Sequence, residues 1–133
     1  MKVLIISDAQ SVHTQRWVSS LNEKGVEVIL YSIKPYLDDF YSSRRIKCYF
    51  FDLFSYKREK KGIFAAVQRH FQAVIHLKKV LKEVKPDILH AHYATSYGFV
   101  AALSRFSPFI ISVWGSDIYK FPLQSFINKR AVK

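Results

Sequence analysis

The sequence predicts a doubly wound α/β domain, with a parallel sheet of about five strands in the order 3-2-1-4-5. Two observations lead there. Short apolar runs without polar alternation recur along the chain, and segments of helical spacing separate them. Unalternated runs suit strands covered on both faces. Strands alternating with helices assemble into one parallel sheet, and right-handed crossovers restrict its order. A chain of 133 residues makes a single core, so residues 1–133 are read as one domain.

The elements follow in order. Val3 to Ile6 is the first strand. From Thr14 to Lys24, Trp17, Val18 and Leu21 keep helical spacing, and Gly25 supplies a C-terminal stop. Val26 to Ser32 is the second strand, and the polar, aromatic stretch Pro35 to Arg45 is a connection. Ile46 to Asp52 is the third strand, and the basic run Lys57 to Lys61 is a solvated surface. Ile63 to Val84 is the longest helix. Its Phe64, Val67, Phe71, Val74, Leu77, Leu81 and Val84 form one stripe, expected to face the core. Pro86 ends it. Ile88 to Ala91 is the fourth strand, Ser96 to Arg105 a short helix, and Phe109 to Val113 the fifth strand. Another helix is expected from Phe121.

Composition narrows the partners. The net charge of +11 points to an anionic partner: a phosphorylated ligand, an acidic membrane surface or nucleic acid. Cys48 is the one cysteine, so no intramolecular disulfide forms, and its apolar neighbours suggest a buried small hydrophobe. No apolar stretch approaches the roughly 18 residues of a membrane span, and the apolar start is too short for a secretory signal. A cytoplasmic protein, peripheral on the inner face of the membrane, is the expectation.

In the 3-2-1-4-5 order a crevice opens above strands one and four, and ligands bind there. Three polar loops meet at it: Asp8 to His13, His92 to Gly98, and Trp114 to Asp117. The first runs into a helix N-terminus, whose exposed N–H groups attract anions. Ser11 and His13 are possible side-chain donors to such an anion. Ser11 or Thr14 also reads as a simple N-cap. The loop lacks the spaced glycines of a tightly bound dinucleotide. His90 and His92, two apart, share one face of a strand. His90, the deeper, reads as a hydrogen-bonded structural histidine. His92 stands where an imidazole binds phosphate, orients a hydroxyl or acts as a base. No third ligand at metal-site spacing accompanies them. Gly115 permits close approach, and Asp117 accepts from a sugar hydroxyl or caps the next segment.

Four segments carry a family resemblance: Met1 to Asp8; Ser11 to Trp17 with Gly25 to Val28; Lys85 to His92; and Trp114 to Tyr119. Together they resemble the N-terminal, Rossmann-like domain of family-4 retaining glycosyltransferases of GT-B fold. The resemblance implies transfer of a sugar, of hexosyltransferase type, from a nucleotide-sugar to a glycan or lipid-linked acceptor. Bacterial surface polysaccharide synthesis is the expected setting. It implies that this half holds the acceptor and that a C-terminal domain, absent from this chain, holds the donor. No metal or cofactor is implied, the nucleotide-sugar being a co-substrate. Carried over, Gln10 and Ser11 approach the donor phosphates. His13, Tyr93, Trp114, Gly115, Ser116 and Asp117 line the acceptor side, with His92 the catalytic candidate. Three features depart from the family pattern. A glycine pair common in the first loop is Gln10-Ser11 with its neighbours here, and a common histidine is Trp114. The family's spaced glutamate pair is missing, since Glu23, Glu27, Glu59 and Glu83 are not so arranged. This half alone is expected to be inactive.

A competing reading is a non-enzymatic basic module that binds nucleic acid or another anionic partner. The scattered basic residues and the lack of a nucleic-acid motif disfavour nucleic acid. The membrane reading makes Lys57 to Lys61 and the basic face of the long helix rest on anionic lipid. Tyr36, Phe40 and Tyr41 then dip into the interface.

Overall fold

The computed structural model describes residues 1–35, 39–52 and 63–115. Five strands form one all-parallel sheet: β1 (Lys2–Ile6), β2 (Glu27–Ser32), β3 (Lys47–Phe50), β4 (Ile88–His92) and β5 (Phe109–Ser112). Their order is β3-β2-β1-β4-β5, as the alternation predicts. The helices are α1 (Val12–Glu23), α2 (Ile63–Val84) and α3 (Ser96–Ser104), with one 3-10 turn at Ser42–Arg44.

Central β1 shows why the runs are apolar on both faces. Leu4 and Ile6 pack into a core with α2 and α3, through Leu77, Leu81, Val84 and Val100. Val3 and Ile5 point the other way, into a second core with Val18 of α1, Tyr41 and Ile46. Pairing in register, Ile5 with Leu30 and His90, leaves no solvated face on the middle strands. Gly25 closes α1 in the left-handed region at φ +78°, and its N–H donates to the Asn22 carbonyl at 3.0 Å.

Boundaries differ in small, informative ways. Helix α1 begins at Val12, two residues before the periodicity shows it. Strand β4 runs through His92, so that residue belongs to the strand and not to the loop after it. Cys48 is half-buried beside the second core, where burial pushes its thiol up to about 11.

The α2 stripe is the larger correction. Its lower part, Val74, Leu77, Leu81 and Val84, is buried. Phe64, Val67 and Phe71 are not, at 88%, 65% and 61% exposed. The cause is a mismatch of periods. A stripe spaced every three or four residues over several turns drifts around a straight helix, so Phe64, Val67 and Phe71 stand on the outward side that carries exposed Lys78 and Lys82 lower down, while Ala66 and His70 of the same first turns are part-buried. Tyr41 also departs from expectation. It is fully buried, not an interfacial aromatic, because its hydroxyl turns inward to donate to the Ala9 carbonyl at 2.8 Å. Phe40 is half-buried under the Arg44 guanidinium, 3.9 Å above its ring. Lys57 to Lys61, Tyr36, Ser116, Asp117 and the helix expected from Phe121 lie outside the described residues.

Candidate functional site at the C-terminal sheet edge

The sheet order reverses beside β1, and the C-terminal ends of β1 and β4 lie next to each other. After β1 the chain makes a pinned turn. Asp8 accepts from the Gln10 N–H at 3.0 Å through one carboxylate oxygen and pairs with Lys34 at 2.7 Å through the other. The Asp8 carbonyl accepts from the Ser11 N–H at 3.1 Å. Tyr41 holds the same turn through Ala9. Tyr41→Phe is therefore expected to lose about 1 kcal/mol, read as a lowered urea midpoint.

The turn delivers the chain into α1. Ser11 occupies the N-cap position, yet its side chain makes no capping bond, and no acidic residue stands in the first turn. Thr14 does not cap either; its buried hydroxyl bonds that of Ser7 at 2.7 Å. The first turn therefore keeps the partial positive charge of an uncapped helix end. Gln10 reaches away, its amide donating to the Pro35 carbonyl at 3.3 Å.

Beside this helix end stands a box of aromatic rings. Trp17, one turn after His13, sets its indole edge-on to His90 at 5.4 Å and to His92 at 5.6 Å between ring centres. Trp114 lies 4.8 Å from His13, 5.6 Å from His92 and 6.3 Å from Tyr93. The structure thus brings His13, His92, Tyr93 and Trp114 together, with Gly115 following at φ +85°. Trp17 was not singled out for the site, although its position four residues after His13 on one helix face was the available signal.

The two histidines of β4 differ sharply. His90 shares a 2.7 Å hydrogen bond with the Ser112 hydroxyl on β5, a satisfied structural group. His92 is 1% exposed, and neither ring nitrogen has a hydrogen-bond partner among the described residues. Burial, then the neighbouring His90 and His13, lowers its pKa to about 4. At neutral pH its imidazole is uncharged. It therefore carries one donor and one acceptor and no charge, with both nitrogens sealed from the surface.

Tyr93 follows in the left-handed region, φ +70°. Its N–H donates to the Ser112 carbonyl at 2.9 Å, and its carbonyl accepts from the Gly98 N–H at 2.9 Å. These bonds hold a conformation that costs a non-glycine residue about 1 kcal/mol or more. The edge thus combines an indole, a neutral imidazole and an uncapped helix end whose N–H groups attract anions. Among the described residues, no three histidine, cysteine or carboxylate groups converge as metal ligands.

Comparison with known proteins places this edge in context. No curated protein matches the chain. Among solved structures it superposes on a UDP-GlcNAc 2-epimerase from Neisseria meningitidis bound to UDP-GlcNAc, with TM-score 0.64 and 23% identity, over 99% of this chain and 37% of that one. A putative UDP-N-acetylglucosamine 2-epimerase from Listeria monocytogenes gives TM-score 0.65 at 18% identity, over 98% and 36%. A glycosyltransferase from Streptomyces sp. SF2575 gives 0.52 at 15%, over 85% and 39%. These likenesses show the fold, and the chain spans less than two fifths of each of those proteins. The glycosyl transferase 4-like family matches over residues 2–133, and the chain belongs to that family.

Proposed function

We propose that this domain is the acceptor-side half of a glycosyltransferase that moves a sugar from a nucleotide-sugar to a glycan or lipid-linked acceptor. The observation that carries it is His92, an unpartnered neutral imidazole buried beneath Trp17 and Trp114 at the switch point of the sheet. A shift of the rings over His92 lets an acceptor hydroxyl bond a ring nitrogen, satisfying a group that has no partner among the described residues. Trp114 takes the apolar face of the sugar, and Tyr93 supports the indole. The uncapped first turn of α1, at Ser11 to His13, faces the donor phosphates. A second domain in the longer protein supplies the donor site. Family membership supports this reading, as does the UDP-GlcNAc held by the Neisseria neighbour.

The test exploits a feature of composition. Trp17 and Trp114 are the only two tryptophans, so intrinsic fluorescence reports directly on the box. Titration with polyprenyl-linked glycans is expected to change the emission saturably, and His92→Phe is expected to remove the response. Emission unmoved by every glycan and by UDP-sugars alike rejects the assignment.

A further inference from the structure

Helix α1 has a second polar flank, distinct from the side on which His13 and Trp17 meet the aromatic box. Val12, Arg16, Ser19 and Glu23 recur every three or four residues, the spacing that stacks side chains on one helix face. With Gln15 they form one wall of a groove of about 360 Å³. Phe40 and Arg44, from the segment before β3, form the other.

The fold leaves the polar groups of this groove largely unused. The Arg44 guanidinium is pre-set: it lies 3.9 Å over the Phe40 ring and donates through Nη1 to the Phe40 carbonyl at 3.0 Å and the Ser43 hydroxyl at 3.4 Å. Those bonds all use Nη1, so Nε and Nη2 have no partner among the described residues. Arg16 and Glu23 share the groove, yet neither enters an ion pair among the described residues. The Ser19 hydroxyl is buried and has no hydrogen-bond partner there either.

The groove also has a polarity that selects its ligand. At one end Val12 opens α1, whose first turn carries no capping bond and no acidic side chain, so its partial positive charge adds to that of Arg16. Glu23 stands seven residues further on, a rise of about 10 Å. An anion suits the first end and hydroxyl donors suit the second. Two guanidinium groups match the charge and the oxygens of a phosphate. A polyanion such as nucleic acid would set charge against Glu23 as well, and the volume is that of a small-molecule site.

We infer that this groove binds a small phosphate monoester of a polyol, with its phosphate between Arg16 and Arg44 and its hydroxyls toward Ser19 and Glu23. The net charge of +11 raises the local concentration of such an anion. The site uses none of the residues assigned to sugar transfer, so either reading can fail without the other.

The test is isothermal titration of the 133-residue chain with ribose 5-phosphate, inorganic phosphate and ribose, at constant ionic strength set with sodium chloride. Ribose 5-phosphate is expected to bind saturably at one site, several-fold more tightly than inorganic phosphate, and ribose to give no isotherm. Arg16→Gln is expected to weaken ribose 5-phosphate about tenfold or more. Its thermal melt should match the parent, because the Arg16 side chain is exposed and unpaired among the described residues. Arg44→Lys keeps the charge but loses the planar fork, and should weaken binding in the same direction. Arg105→Gln removes one charge from the end of α3 and should leave the isotherm unchanged. Absence of saturable heat overturns the proposal, as does binding that survives Arg16→Gln. Equal losses in Arg16→Gln and Arg105→Gln assign the binding to the general field of the chain and reject the groove. Equal affinity for inorganic phosphate and ribose 5-phosphate rejects the polyol ester as the ligand.

Discussion

Acidification from pH 7 to pH 4 is expected to cost the fold about 3 kcal/mol through His92 alone. Its imidazole is held at about 4, against an ordinary 6.5, chiefly by burial and then by His90 and His13. A histidine depressed in this way is neutral when folded and protonates more readily when unfolded. Its contribution is therefore fully present above pH 6.5 and drains away as pH falls toward 4. His90 and His76 are also lowered, both mainly by burial, and add loss in the same direction. The His92 share is isolated as the difference between the parent and His92→Phe. That variant keeps a ring in the box and removes two unpartnered nitrogens, so it should gain roughly 1–2 kcal/mol at pH 7. It should also flatten the acid limb while losing the fluorescence response to acceptor glycans. Under the proposed function, such a trade of stability for binding is the expected behaviour of His92. Parallel urea midpoints for the two proteins across pH 7 to 4 would refute the assignment of His92 as the unsatisfied group.

Gly98→Ala is expected to cost about 2–3 kcal/mol and to disturb the box without touching it. A Cβ built on Gly98 meets the Tyr93 carbonyl oxygen at 2.7 Å, closer than real side chains approach. That oxygen belongs to backbone and cannot swing aside. Tyr93 is already at φ +70° and is bonded on both sides, to Ser112 and to Gly98 itself. The added methyl must therefore displace either the first turn of α3 or Tyr93, whose ring lies 6.3 Å from that of Trp114. Urea unfolding measures the loss, and a shift in native tryptophan emission shows that the strain reaches the box. A variant with parental midpoint and emission would mean that the α3 turn absorbs the methyl freely.

Much of this molecule was legible one element at a time. Val3 to Ile6 announced a strand covered on both faces, Gly25 a helix stop, and the alternation of elements the order of the sheet. These are local: each depends on periodicity, backbone freedom or crossover handedness, which a run of residues carries with it. The depth of His90 in its strand likewise anticipated a hydrogen-bonded structural role, and its Ser112 partner supplies one.

Other properties depended on what stood across from a residue. Spacing put His90 and His92 on one face, but only the register of β5 gave Ser112 to the first, while the rings of Trp17 and Trp114 lie against the second. Tyr41, read as a surface aromatic in a polar connection, turned out to be a core residue because the turn after β1 offered it a carbonyl. The α2 stripe reached the core only along its second half, because it drifts around the helix and its first residues, Phe64, Val67 and Phe71, face outward beside part-buried Ala66 and His70. The sequence by itself determined the elements and their order. Burial, hydrogen-bond satisfaction and the side of α2 that meets the core were decided by tertiary structure, since each is a relation between residues far apart in the chain.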